Sequence, residues 1–224
     1  MFFHPGFITN DKNVLSIGSS ITTQYSWDEL CQNTHNADAL SECAYLRKRS
    51  GEGVSEYSAR GYSLPDTRVK PDLIAPGHFI VSARSNGEES ESTNQCTPFV
   101  CKTTESYACP NTTGLIFMRG TSQSAPIVSA SAALIRQYLM DGFYPTGTKV
   151  TGNKLLSVSS ALLRAIIIHS AVPVTGSVNL DEQGRTVSLE TQPVPNIYEG
   201  FGRIQLDQVL AFGTDTTLQS QLFL

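Results

Sequence analysis

Basic charge is in short supply. Sixteen Lys and Arg stand against 20 Asp and Glu, a formal net charge of −4 over 224 residues. That gives no electrostatic footprint for nucleic acid. Long apolar runs are missing as well. The longest, Ala161 to Val172, is broken by Arg164 and His169, and it is too short and too polar to span a bilayer. The start, Met1-Phe2-Phe3-His4-Pro5-Gly6, lacks a basic segment and an extended apolar stretch, so it does not read as a secretory leader. Cysteines are few: Cys31, Cys43, Cys96, Cys101 and Cys109. None forms a C-x-x-C unit, which argues against a zinc site. Internal repeats and low-complexity tracts are lacking too. What is present is 40% hydrophobic and 16% charged. This is a globular composition, with room for one or two domains.

The five cysteines sit in polar, turn-rich stretches. Disulfides in surface loops of an oxidising compartment are the natural reading. An odd count leaves one thiol unpaired, or paired outside this chain. Asn111-Thr112-Thr113 is a glycosylation sequon, which agrees with secretion. Residues 20–57 and 85–113 carry these cysteines and read as inserted surface loops.

Between the inserts lie short regular elements. Asn13 to Gly18 reads as a strand. Leu73-Ile74-Ala75, bounded by Pro71 and Pro76, reads as a buried strand with hard stops. Phe79 to Ala83 and Leu115 to Met118 are further strands, the second broken by Gly120. A helix is expected from about Ser122 to Met140, with Pro126 in its first turn, where a missing N–H costs little. Its run Ser129-Ala130-Ser131-Ala132-Ala133 is small on all sides and predicts burial all round rather than an amphipathic face. Ser157 or Ser159 can cap a second helix over 159–171, ended by Pro173. Its row Leu162, Ile166 and His169 faces one way. Residues 174–198 read as loops or short hairpins, and Phe201 to Phe212 as a last strand and helix.

One segment carries chemistry: Arg119-Gly120-Thr121-Ser122-Gln123-Ser124-Ala125-Pro126. A strand ends in glycine, and a serine follows at a helix N-terminus. The helix start aims free N–H groups and a positive dipole end at anything near that hydroxyl. Acyl transfer needs such a nucleophile, with donors for the developing oxyanion. Topology alone leaves a plainer alternative, in which Ser122 merely caps the helix.

The full pattern decides between them. Gly120-Thr121-Ser122-x-Ser124-x-Pro126, followed by Ser129-Ala130, resembles the serine signature of the subtilisin family, the subtilases. Three other segments agree in the family's order. Asn13 to Gly18 looks like the strand after the substrate pocket. Tyr57-Ser58-Ala59-Arg60-Gly61 with Arg68 to Gly77 is similar to the segment before the serine. Gly200-Phe201-Gly202-Arg203-Ile204 looks like the closing segment. The resemblance implies an α/β fold, the C-terminal portion of a doubly wound, mostly parallel sheet with helices on both faces. It makes 1–224 part of a peptidase domain, with Ser122 as nucleophile and its own N–H as one oxyanion donor. Gly120, Thr121 and Pro126 support the motif, and the substrate is a polypeptide.

The resemblance also implies what is lacking. Subtilases order their triad Asp, His, Ser along the chain. Asn13 already corresponds to a point beyond the family's oxyanion asparagine, so the Asp, the His and that asparagine are expected to precede residue 1. None of His4, His35, His78 and His169 is followed by Gly-Thr, as the family's catalytic histidine usually is. Each reads as structural or solvated. The missing N-terminal portion is then a partner that the chain needs. Without it the chain is expected to be inactive, and marginal or aggregation-prone because a central strand edge is exposed. The alternative is a non-catalytic fragment that binds a partner or has no function.

Among single residues, Asp72 reads as a structural acceptor and Arg119 as a solvated strand-end residue. The His4-Pro5 bond is a candidate for the cis form. Subtilases often bind calcium, but no acidic cluster has convincing ligand spacing, so neither a metal nor a cofactor is assigned. An extracellular or secretory location follows from the cysteines and Asn111.

Overall fold

The computed structural model describes residues 11–21, 53–62, 67–78, 80–83, 115–179 and 185–213. The five cysteines, Asn111, His4, His35 and the His4-Pro5 bond lie outside these residues. The strands are β1 (Ile17–Ile21), β2 (Gly61–Tyr62), β3 (Val69–Lys70), β4 (Leu73–His78), β5 (Ile80–Ala83), β6 (Leu115–Met118), β7 (Ala171–Val172), β8 (Ser177–Asn179), β9 (Thr186–Ser188) and β10 (Arg203–Ile204). The helices among the described residues are α1 (Thr121–Asp141) and α2 (Ser160–His169).

The main sheet has the order β1-β4-β10-β7. β1 and β10 pair parallel with β4, and β7 closes the edge antiparallel to β10. This is the α/β class expected, with a sheet dominated by parallel pairing. β4 is central because both its faces are apolar. Leu73 and Ala75 point to one side and Ile74 to the other, and all three are fully buried. Leu73 and Ala75 join Val128, Ile135, Tyr138 and Leu139 of α1 and Ile166 and Ile167 of α2 in the larger core. Ile74 joins Val54, Val174, Val178 and Leu189 in the smaller one. Among the described residues, then, both helices cover one face. The antiparallel hairpin β8–β9 and the segment around Val54 cover the other.

Five local differences from the sequence reading have physical causes. Pro76 does not stop the buried strand: β4 runs through it to His78, and Pro76 pairs with Ser20 beside the bulge in the β1–β4 ladder, where proline is tolerated. The first strand is Ile17–Ile21 rather than 13–18, because Gly18, Ser19 and Ser20 are small enough to lie between β4 and the 53–58 segment. The first insert is correspondingly narrower than 20–57. Ser20 and Ile21 belong to β1, while Val54, Ser55 and Tyr57 pack inward. α1 is not buried all round. Ser124, Val128, Ser131, Ile135, Tyr138 and Leu139 are buried at helical spacing, whereas Ala125, Ser129, Ala130, Ala133 and Leu134 are exposed. Ser131 tolerates burial because its hydroxyl donates to the Ile127 carbonyl at 2.8 Å. In α2, Ser159 caps the helix by accepting from Leu162 N–H at 3.1 Å. His169 is exposed and so leaves the face that Ile166 presents to the core.

Candidate active site

β6 ends at Met118, and α1 begins three residues later at Thr121. Gly120 makes the turn with φ 149° and ψ 161°, a region open almost only to glycine. It is also the helix N-cap, with no side-chain cap bond. Ser122 is therefore the second helical residue, and it is exposed. The cap position belongs to Gly120, so the serine hydroxyl has no capping task. The N–H groups of Thr121 and Ser122 lie in the first turn, which has no preceding helical carbonyls to receive them.

Pro126 is the sixth residue of α1, in its second turn rather than its first. Having no N–H, it cannot bond the carbonyl four residues back, which is that of Ser122. The backbone around Ser122 is thereby released from the helical ladder on its carbonyl side.

Behind this turn runs a polar seam. The Gly120 N–H donates to the Gly77 carbonyl at 2.8 Å. Gly77 is the extra residue of a bulge. Ser20 pairs with Pro76 and Ile21 with His78, so Gly77 has no partner on β1. A Cβ on Gly77 would collide with Ser124 Oγ, with Ser19 Oγ (2.5 Å) and with the Gly120 carbonyl oxygen (2.7 Å). Only glycine lets β4 approach the helix start this closely. The Tyr57 hydroxyl donates to the same Gly77 carbonyl at 2.9 Å and lies 3.2 Å from Ser19 Oγ, which is 2.9 Å from Ser55 Oγ. Burial raises the Tyr57 pKa above its ordinary value; the hydroxyls of Ser19 and Ser55, the charge of Arg119 and the Gly120 backbone act in the opposite sense.

The other sequence candidates fall elsewhere. Asp72 accepts from Ser16 N–H at 2.6 Å and from Lys70 Nζ at 2.7 Å, in agreement with a structural acceptor. His78 is buried and stacks on Tyr57 at 5.5 Å between centroids. His169 is exposed in the last turn of α2. Arg119 is exposed at the end of β6. Among the described residues no three His, Cys, Asp or Glu side chains gather as a metal set, and no helix is long and apolar enough to cross a membrane. The sequence named Tyr57 and Gly77 only as parts of matched segments. The contacts that join them to Gly120 were out of its reach, because the residues are 20 and 43 positions apart.

Residues 6–202 match the family model described as the subtilase family, Peptidase S8. The chain belongs to the subtilases. Serine-type peptide hydrolysis is that family's chemistry. Among curated subtilase-like relatives, the serine protease/ABC transporter B family protein tagB of Dictyostelium discoideum is 32% identical over 203 residues, covering 83% of this chain and 10% of that protein. The tagD protein of the same organism is 36% identical over 160 residues, covering 70% and 8%. The subtilisin-like protease SBT1.9 of Arabidopsis thaliana is 35% identical over 109 residues, covering 47% and 13%. This subtilase chain thus spans about a tenth of the length of the curated relatives it matches. It also aligns with the solved structure of the Clostridium perfringens CspB protease, with TM-score 0.45 and 21% identity over 90% of this chain and 27% of that one.

Proposed function

We propose that this chain supplies the nucleophile of a subtilisin-like serine endopeptidase, with Ser122 forming the acyl-enzyme. One observation carries the reading: Ser122 is exposed at the second position of α1, in the first turn, whose N–H groups and dipole suit a developing oxyanion. In the attack step the Ser122 oxygen bonds the substrate carbonyl carbon and the hydroxyl proton passes to a general base. The oxygen of that carbonyl, now anionic, lies against the Ser122 N–H. Collapse expels the amine with a proton returned from the base, and water then hydrolyses the ester.

On this reading the base, its carboxylate partner and the asparagine donor are supplied by sequence outside these 224 residues. In support, of the two histidines among the described residues His78 is stacked on Tyr57 and buried, and His169 ends α2 on the surface. The 224-residue polypeptide by itself is therefore expected to be inactive. In subtilisin, loss of either the serine or the histidine costs about 10⁶-fold in kcat. The five cysteines and the Asn111 sequon favour the secretory pathway; a mobility shift of the native protein on enzymatic deglycosylation checks this.

A fluorophosphonate probe tests the assignment. The natural full-length protein should take up one label on the peptide that contains Ser122, and Ser122→Ala should take up none. The 224-residue polypeptide should neither label nor cleave. A full-length protein that stays unlabelled would instead be a non-catalytic binding protein. Cleavage by the short polypeptide that disappears in Ser122→Ala would show that the base lies within these residues.

A further inference from the structure

We infer that Tyr57 is a positioning residue for the nucleophile, acting through the Gly77 carbonyl; this rests on the reading of Ser122 as nucleophile. Proton counting fixes the direction of the seam. A carbonyl can only accept, so the single Tyr57 hydroxyl proton goes to Gly77 O, at 2.9 Å. The 3.2 Å contact between Tyr57 and Ser19 must then use the Ser19 proton. The 2.9 Å contact between Ser19 and Ser55 must use that of Ser55. The result is a one-way relay, Ser55 to Ser19 to Tyr57 to Gly77, in which each hydroxyl is polarised by the one before it.

The relay ends on an acceptor with two lone pairs. Tyr57 O–H takes one and the Gly120 N–H, at 2.8 Å, takes the other. Gly120 is two residues from Ser122, and its own carbonyl accepts from Gln123 N–H at 3.0 Å. The turn that carries the nucleophile is thus tied to the Gly77 oxygen through the Gly120 N–H, and Gln123 is tied to that turn through the Gly120 carbonyl. That oxygen needs an external anchor. Gly77 carries no Cβ, and it is the unpaired residue of the bulge, so the β1–β4 ladder does not hold it. Tyr57 supplies the anchor. Its ring is held in turn by the stack on His78, 11° from parallel.

Removal of the hydroxyl should free the Gly77 peptide to tilt and let Gly120 and Ser122 drift from the attack geometry, while the ring packing stays. The test is Tyr57→Phe in the natural full-length protease, read as kcat and KM on a peptide substrate, the fluorophosphonate labelling rate, and the melting temperature. A lost hydrogen bond in the attack geometry predicts a roughly fivefold to tenfold fall in kcat and in labelling rate, with KM unchanged and the protein still fully folded at the assay temperature. Unchanged kcat and labelling would overturn the positioning role and leave the nucleophile intact. So would a loss of kcat that vanishes when rates are compared per folded molecule, which marks a structural role only. A wild-type protein that takes up no label removes the nucleophile reading, and the positioning role with it.

Discussion

At the scale of single residues, two glycines and one carboxylate set the sharpest expectations. Gly77→Ala forces a methyl group against Ser124 Oγ, Ser19 Oγ and the Gly120 carbonyl. One of those is backbone and cannot step aside. A cost of about 1–3 kcal/mol or more is expected, seen as a lower denaturation midpoint, while Gly152→Ala, where nothing lies within 4 Å, should be close to neutral. Glu199 is the carboxylate. It is fully buried, accepting from Val174 N–H at 2.9 Å and from Asn196 Nδ2 at 3.0 Å. Burial nevertheless raises its pKa above the ordinary carboxylate value. The folded state therefore holds this proton more tightly than the unfolded chain does. The group's stabilising contribution is complete below the unfolded pKa, about 4.3, and is lost as pH rises through the raised folded value. Denaturant titrations of wild type and Glu199→Gln across the weakly acidic range should show a wild-type slope that the variant lacks. Parallel curves would remove Glu199 as its source.

At the scale of elements, α1 decides most of the packing. Its buried row ends in Ile135, Tyr138 and Leu139, against Leu73 and Ala75 of β4. Ile135→Ala should cost about 2–5 kcal/mol, and Ser159→Ala, which removes the cap of α2, about 1 kcal/mol; urea unfolding measures both. The existence of α1, α2, β4, β5 and β6 was legible in the sequence, because proline, glycine and serine punctuate the apolar stretches there. The amphipathic character of α1 was not. Serine and alanine are small enough to serve on either face, so composition over 129–133 cannot say which side meets the sheet. Pro126 was misplaced by two positions for a related reason. Gly120, rather than Ser122, takes the cap, and that moves the whole helical count.

At the scale of the molecule, the sheet has less exposed edge than expected. The outer side of β1 is met by the 53–58 segment, through Ile21 N–H to the Gly53 carbonyl at 2.8 Å and Ser55 N–H to the Ser19 carbonyl at 2.8 Å. Apolar exposure lies instead on other surfaces. Leu134 on the outer face of α1 is 52% exposed, Phe212 55% and Leu156 95%. Met118 and Phe201 add to this exposed apolar surface. The 224-residue polypeptide is expected to self-associate at micromolar concentration, seen as a scattering mass above that of the monomer. A monodisperse monomer with one cooperative unfolding transition would contradict this.

Local chemistry is what the sequence by itself determined: the serine at a strand-to-helix turn, the glycine before it, the buried run Leu73-Ile74-Ala75, and the family that this order of segments marks. These features depend on neighbours a few residues apart, where backbone restrictions act directly. The tertiary structure alone decided which acceptor holds the turn. The Gly77 carbonyl gathers Gly120 from 43 residues downstream and Tyr57 from 20 upstream. Nothing in the local spacing of those residues records that meeting. It arises because a bulge in β4 leaves one carbonyl free of the β1 ladder, beside a helix start that needs an acceptor.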